Sequence, residues 1–266
     1  MSAPSVLSLR NLTKRFGGVA AVTDVSFDLE AGNVTALIGP NGAGKSTIIN
    51  LLTGVFEPNS GIVTLDGENI TNLPMHERAQ RGMARTYQTP QMVQGLSVLA
   101  NVMTGAYRFG SHGLLRTVLQ PWTIARENVL LAGRAADCLK RAHVPELWWS
   151  RLATDLPYGL QRRVEIARAL AQDPRVILLD EPAAGLNPQE TMDIAQLLLD
   201  VATGGPAVLL VEHDMPMVMS IASHIVVVNF GRHLAAGTAA EIANNPEVIT
   251  AYLGADEDAF EKAPSQ

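Results

Sequence analysis

The most informative run of this sequence is Gly39-Pro40-Asn41-Gly42-Ala43-Gly44-Lys45-Ser46. It fits the pattern G-x-x-x-x-G-K-[S/T], follows the apolar run VTALIG and opens the helix-prone run STIINLLTGV. Glycines let backbone N–H groups converge on phosphate oxygens, and the helix N-terminus adds about half a positive charge. Lys45 can reach the outer phosphates, and the Ser46 hydroxyl can bind Mg²⁺. We therefore predict a nucleotide-binding loop between a buried strand and a helix.

Two adjacent carboxylates, Asp180 and Glu181, stand at the end of the apolar run VILLD. Beside a phosphate loop, Asp180 is placed to hold Mg²⁺, and Glu181 is placed to polarise an attacking water as a general base. Adjacent carboxylates are also common in solvent-facing turns, so it is the loop at residues 39–46 that favours the catalytic role. Phe16, just before two glycines, either packs in the core or stacks on a purine base.

The composition limits the classes of protein to consider. The chain has 266 residues, 47% of them hydrophobic, which is enough for one large domain or a core with a subdomain. A net charge of -6 argues against a nucleic-acid partner. The single cysteine, Cys138, excludes an intrachain disulfide and fits a reducing compartment. We find no signal-peptide pattern and no spanning run, so we expect any membrane role to act through a partner.

The pattern along the chain predicts an α/β fold with a parallel sheet. The runs at 176–180 and 207–212 read as buried strands, each followed by a helical segment. Residues 5–38 read largely as short alternating strands, which predicts an antiparallel β subdomain, and residues 60–70 read as a hairpin. Residues 96–154 are helix-prone and predict an inserted helical subdomain, with a break at Gly110 to Gly113.

In order and across residues 5 to 254, these elements resemble an ATP-binding cassette (ABC) subunit. The resemblance identifies residues 39–47 as a Walker A motif and VILLDEP as a Walker B motif. It implies that Phe16 stacks on adenine and that Gln88 touches Mg²⁺ and senses a transmembrane partner. It also implies that His213 is the switch histidine that contacts the γ-phosphate. The run AAGLNP matches the D-loop, with asparagine where many cassettes carry aspartate.

The resemblance thus implies ATP and Mg²⁺ as cofactors and assigns the site residues. Catalysis is expected from Lys45, Glu181 and His213. Mg²⁺ is expected to bind Ser46, Gln88 and Asp180. ATP is expected to bind Phe16, Gly39, Pro40, Asn41, Gly42, Ala43, Gly44, Lys45, Ser46 and Thr47.

The run LPYGLQ, residues 156–161, stands where the family has its signature turn, commonly Leu-Ser-Gly-Gly-Gln. By resemblance this signature turn acts in trans, on the nucleotide of a second cassette, through Pro157, Tyr158, Gly159, Leu160 and Gln161. A proline in place of the serine offers phosphate neither a hydroxyl nor an N–H, so we expect a weakened turn and a different subunit as the partner. We expect the adjacent Arg162 and Arg163 to add positive charge.

The resemblance also sets domain boundaries. It predicts a nucleotide-binding core at 5–88 and 156–238, with the antiparallel subdomain at its N-terminus. It predicts a helical subdomain at 89–155 that docks the membrane subunit. A family-specific C-terminal segment would cover 239–254, and a mobile acidic tail 255–266.

A finer resemblance points to the ATP-binding subunits of branched-chain amino acid importers, through runs such as EPAAGLNPQET and VEHDMPMVM. It implies an ATPase on the cytoplasmic face of the inner membrane, peripheral to two permease subunits and served indirectly by a periplasmic solute-binding protein. A related cargo such as an amide or urea stays open. A soluble ABC ATPase and a small-molecule kinase are the rival classes; a kinase would not explain Gln88, Asp180-Glu181 and His213 together.

Overall fold

The computed structural model describes residues 5–107 and 121–252, without the side chains of 121–126. In these ranges the strands form two sheets, one of four strands and one of six. The strands are β1 Ser5–Phe16, β2 Val19–Glu30, β3 Val34–Ile38, β4 Ser60–Leu65, β5 Glu68–Asn69, β6 Met83–Arg85, β7 Val176–Asp180, β8 Ala207–Val211, β9 His224–Asn229 and β10 Arg232–Gly237. The helices are α1 Lys45–Leu52, α2 Met75–Gln80, α3 Val98–Ala106, α4 Pro121–Arg141, α5 Tyr158–Leu170, α6 Pro188–Thr203, α7 Met215–Ile221 and α8 Ala239–Ala243.

The six-stranded sheet positions the site. Its order is β10-β9-β3-β8-β7-β6; the strands from β9 to β6 pair in parallel, and β10 pairs antiparallel with β9. Strands β3, β7 and β8 are buried along nearly their whole length, as uninterrupted apolar runs require in a covered parallel sheet. The carboxyl ends of β3, β7 and β8 therefore lie at one edge, where nucleotides bind in folds of this kind. The predicted α/β class is confirmed.

The second sheet has the order β2-β1-β4-β5, and all its pairings are antiparallel. Helix α1 lies between the two sheets, because Ile48 and Leu52 share one core cluster with Leu9 of β1 and Leu209 of β8. The hairpin expected at 60–70 is formed by β4 and β5. The antiparallel β subdomain is thus present, and it packs on the helix that follows the nucleotide-binding loop.

The inserted helices do not form a separate core. Helices α3 and α4 pack on α5, and one continuous apolar cluster joins Val102 and Leu139 to Val164 of α5 and Ile177 of β7. The predicted boundaries place helix α5 in the nucleotide-binding core, yet much of its packing is with the insertion. The domain boundaries stay a prediction.

Two predicted features lie outside the described residues, and a third, the C-terminal segment, is described up to residue 252. The break predicted at Gly110 to Gly113 and the tail at 255–266 lie outside the described residues. Within the predicted C-terminal segment, α8 is followed by a helical stretch at 246–252, and Ile242 and Val248 pack against the six-stranded sheet. Of the helices described, none is long and apolar enough to cross a membrane.

Candidate active site

The loop between β3 and α1 is shaped by two glycines that no other residue could replace without a clash. A Cβ on Gly39 would lie 2.0 Å from the carbonyl oxygen of Val228. Gly44 has φ +101°, and its Cβ would lie 2.6 Å from the carbonyl oxygen of Ala21. The loop thus fits closely against β2 and β9, and its backbone opens directly into the first turn of α1.

Lys45 is the first residue of α1 and points back into the loop. Its Nζ donates hydrogen bonds to the carbonyl oxygens of Gly39 at 2.6 Å and Pro40 at 2.9 Å. Burial lowers the pKa of Lys45, while the nearby charges of Glu181 and Asp180 oppose that shift. The lysine is therefore held inside the loop, as a phosphate-binding cation should be, within the field of the carboxylates after β7.

Asp180 ends β7 and forms an ion pair with Arg85 of the neighbouring strand β6, with Nη2 and Oδ2 3.3 Å apart. Arg85 also donates to Asn50 Oδ1 of α1 at 2.7 Å, so it links the two elements that flank the site. Burial raises the pKa of Asp180, and Arg85 opposes the rise. Sequence reasoning did not find Arg85, because it lies 95 positions away from Asp180 along the chain.

Glu181 lies next to two further predicted site residues, Gln88 and His213. Gln88 Nε2 donates to Glu181 Oε2 at 2.8 Å, and His213 Nδ1 lies 3.9 Å from Glu181 Oε1. Glu181 has φ +49°, a left-handed backbone conformation that is uncommon for residues other than glycine, asparagine and aspartate and is found more often at functional sites. The structure therefore brings Gln88, Glu181 and His213 together at the edge where β7 and β8 end.

The donor set suits Mg²⁺ shared with a nucleotide. Ser46, Gln88 and Asp180 offer hydroxyl, amide and carboxylate oxygens, the hard ligands that Mg²⁺ prefers. Among the described residues, no cluster of three or more His, Cys, Asp or Glu side chains could hold a metal by itself. This agrees with a cation that one carboxylate and the phosphates of a substrate bind together.

Phe16 lies at the end of β1 with 44% of its surface exposed. Its ring contacts Phe56 edge to face at a centroid distance of 5.1 Å, and Lys14 Nζ lies 5.2 Å from its centroid. Phe16 is thus not a core residue. An exposed, supported ring is what stacking on a base requires, and that role stays a prediction.

A known family matches the part of the chain that contains the loop at 39–46 and the carboxylates at 180–181. Residues 22–184 match the family described as ABC transporter. The chain belongs to the ABC transporter family. It is an ATPase of that family. Residues 232–258 also match the family described as branched-chain amino acid ATP-binding cassette transporter.

Curated relatives and solved structures agree over nearly the whole cassette. The high-affinity branched-chain amino acid transport ATP-binding protein BraF of Pseudomonas aeruginosa is 43% identical over 255 residues, 96% of this chain and 99% of BraF. LivG of Escherichia coli K12, named in the same words, is 41% identical over the same shares. A nucleotide-free cassette from an ABC transporter has a TM-score of 0.81 at 32% identity, covering 94% of this chain and 99% of that one. The dimeric cassette MJ0796 bound to ADP and Pi has a TM-score of 0.72 at 26% identity, covering 88% and 98%.

In this cassette the signature turn runs into the N-terminus of α5. Pro157 is the N-cap and supplies no side-chain hydrogen bond to the first turn. Tyr158 is 38% exposed, whereas Leu160 packs partly against the core. The Gln161 amide folds back to donate to the Leu156 carbonyl at 2.9 Å. Pro157 and Tyr158 are therefore the exposed side chains at the start of α5, and the role of this segment as a signature turn stays a prediction.

Gly159 lies in the same turn, against the N-terminus of α6. A Cβ at this position would come within 2.9 Å of Glu190 Oε1, so the glycine permits the close contact. Glu190 belongs to a capping box with Asn187, the D-loop residue that departs from aspartate. Asn187 thus performs a helix-capping role, and the predicted signature turn lies against the predicted D-loop within one chain.

Arg162 corrects one expectation about this cassette. Its side chain is fully buried rather than turned to the signature turn's outer face. It donates to the carbonyl oxygens of Tyr87 at 2.7 Å and Gln88 at 2.6 Å, and it pairs with Glu165 at 2.9 Å. Arg163 in turn pairs with Asp193. The buried arginine therefore holds the Gln88 loop against α5, and Glu165 neutralises its charge.

Proposed function

We propose that this cassette is the ATP-hydrolysing subunit of an importer for branched-chain amino acids. The observation that carries the catalytic part is the Glu181 carboxylate, which lies between Gln88 and His213 beside the lysine of the phosphate-binding loop. The cargo rests on the names of the curated relatives and on the C-terminal match at 232–258. Among related cargoes, a branched-chain amino acid is therefore the first to test.

The residues divide the reaction between them. Backbone N–H groups of the loop and Lys45 bind the β- and γ-phosphates of ATP, and Phe16 stacks on the adenine. A Mg²⁺ on Ser46, Gln88 and Asp180 would neutralise charge on the phosphate oxygens.

Glu181 takes a proton from water as the water oxygen attacks the γ-phosphorus, and the bond to the β-phosphate oxygen breaks. The products are ADP and inorganic phosphate. His213 orients the γ-phosphate. Gln88, hydrogen-bonded to Glu181, keeps the base directed at the site.

The same proposal assigns the partners. The signature turn would cover the nucleotide of a second cassette, so two cassettes close around ATP. ATP then drives closure only to the extent that it binds the closed state more tightly than the open one. The helical subdomain at 89–155 would dock one of the two membrane permease subunits at the cytoplasmic face of the inner membrane, and a periplasmic solute-binding protein would deliver the cargo.

The test is transport-coupled hydrolysis by the assembled complex. We expect the chain to co-purify with two membrane subunits and a second cassette encoded beside it. In proteoliposomes, leucine and its binding protein should raise ATP hydrolysis several-fold. Stimulation by urea or an amide in place of leucine would contradict the proposed cargo. Phosphate transfer to a small molecule instead of water would contradict the proposed ATPase activity.

A further inference from the structure

Glu212 is a buried carboxylate that the catalytic scheme above does not use. It follows β8, directly before His213, and only 2% of its surface is exposed. Among the described residues the other acidic side chain this deeply buried is Glu165, which is paired with Arg162. Glu212 has no comparable arginine partner among its hydrogen bonds; it binds backbone N–H groups instead. A buried charge satisfied in this way fixes the backbone that surrounds it.

The two oxygens of Glu212 bind two different loops. Oε1 accepts from the backbone N–H of Ala183, in the segment after Glu181, at 2.7 Å. Oε2 accepts from the N–H groups of His213 at 3.0 Å and Asp214 at 3.4 Å. One side chain therefore joins the loop that carries the catalytic carboxylate to the loop that carries the histidine.

We propose that Glu212 is a positioning residue that sets the distance between His213 and Glu181. This rests on the proposed function, in which both of these side chains act on ATP. The backbone N–H groups that Glu212 binds belong to Ala183, His213 and Asp214, outside the phosphate-binding loop. Glu212 Oε2 also lies 3.8 Å from His213 Nδ1, and the same nitrogen lies 3.9 Å from Glu181 Oε1, so one atom of the histidine is near both carboxylates.

The proposed role of Glu212 requires a carboxylate. Replacing Glu212 with glutamine tests this requirement, because the side chain keeps nearly the same shape. A carboxylate accepts on both oxygens, whereas an amide has one acceptor and one donor. In Glu212→Gln the NH₂ group must face an N–H either on Ala183 or on His213, whichever way the amide turns. One of the two loops is then released, while the volume of the side chain is unchanged.

The experiment is a double-mutant cycle in the assembled complex. Glu212→Gln should lower kcat for ATP hydrolysis by 10-fold or more, with KM for ATP changed less than about 2-fold. His213→Ala alone should also lower kcat strongly. In the His213→Ala background, Glu212→Gln should cost less than about 2-fold further, because the residue acts through the histidine. Equal losses in both backgrounds would overturn the proposal.

Two further variants serve as controls for the double-mutant cycle. Glu165→Gln removes an equally buried carboxylate that binds Arg162 and the N–H of Tyr87 instead of the His213 and Ala183 N–H groups, so its effect should multiply with that of His213→Ala. Glu212→Asp keeps the charge but shortens the reach, and it should show the same non-additivity as Glu212→Gln. A normal kcat in Glu212→Gln, with an inactive His213→Ala, would overturn this inference alone. A fully active His213→Ala would instead overturn the role proposed for the histidine.

Discussion

Glu181 illustrates how much of the chemistry depends on one backbone turn. Its φ of +49° places the carboxylate just after β7, where Gln88 and His213 can reach it. A base held by a hydrogen-bonding amide on one side needs little rearrangement to accept a proton from water.

Glu181→Gln is the direct test of the base. Glutamine keeps the size of the side chain and can still accept from Gln88, but it cannot take a proton. We expect the assembled complex to lose at least about 100-fold in kcat, the scale of a missing general base, while ATP binding measured by equilibrium dialysis is kept. The ATP-bound pair of cassettes should then accumulate in size-exclusion chromatography. Undiminished hydrolysis would contradict the assignment.

The close contact at Gly39 allows a prediction about the free energy of unfolding. In Gly39→Ala the new Cβ would lie 2.0 Å from the Val228 carbonyl, so the loop or β9 must shift. Overpacking a rigid backbone contact costs about 3 kcal/mol or more in the free energy of unfolding, measured by urea denaturation of the full chain. The matched control is Gly42→Ala, where φ is +80° but no atom lies within 4 Å. Its cost should be limited to about 1–2 kcal/mol of backbone strain.

The C-terminal end of helix α1 depends on a buried arginine from helix α2. Arg78 is 1% exposed and donates to the carbonyl oxygens of Leu51, Leu52, Leu73 and Thr71. Burial lowers its pKa to about 10, so the group stays charged at neutral pH. The positive charge at the C-terminus of α1 satisfies free carbonyls and complements the helix dipole.

Removing that cap should destabilise the helix that follows the phosphate-binding loop. We expect Arg78→Met to lower the free energy of unfolding by about 3–5 kcal/mol, because three buried carbonyls and one partly buried carbonyl lose their donor. The control, Arg81→Met, breaks partly exposed pairs with Glu68 and Glu77 and should cost about 1 kcal/mol or less. Equal urea midpoints for the two variants would argue against the cap.

The elements themselves were predictable, since apolar runs at 34–38, 176–180 and 207–211 dictate buried strands. So was the meeting of Lys45 with the carboxylates after β7, because parallel strands end at one edge. The buried position of the Arg162 side chain could not be predicted from the sequence. Nothing in a run of two arginines says which one faces inward; that depends on the phase of α5 and on a loop about 75 residues earlier. The bridging role of Glu212 was hidden for the same reason.

In the proposed pair of cassettes, we expect the departures in the predicted signature turn to affect the partner's ATP rather than this chain's own. Pro157 lacks both the hydroxyl and the N–H that a serine would offer a phosphate. If the second cassette is a different subunit with an intact turn, the two ATP sites are unequal. The nucleotide on Lys45 is then the better enclosed of the two.

Pro157→Ser should repair the weaker site. At the N-cap a serine oxygen can accept from the first turn of α5, so the fold should be retained. One recovered hydrogen bond to a charged group is about 1.5–3 kcal/mol, or about 10- to 150-fold in affinity, and ATP hydrolysis by the assembled complex should rise. We leave Leu160 unchanged because it packs against the core. Pro157→Ala, which lacks the hydroxyl, is the control; equal rates for Ser and Ala would mean that the turn is not limiting.

The Arg162 contacts have a consequence for how this surface can evolve. The guanidinium donates to the main-chain carbonyls of Tyr87 and Gln88, and Arg168 likewise donates to the carbonyl of Gln91. Main-chain acceptors are present whatever the side chains are. We therefore expect the exposed side chains of Tyr87 and Gln91 to tolerate substitution, because the hydrogen bonds that set the path of this loop, and with it the position of Gln88, go to main-chain atoms.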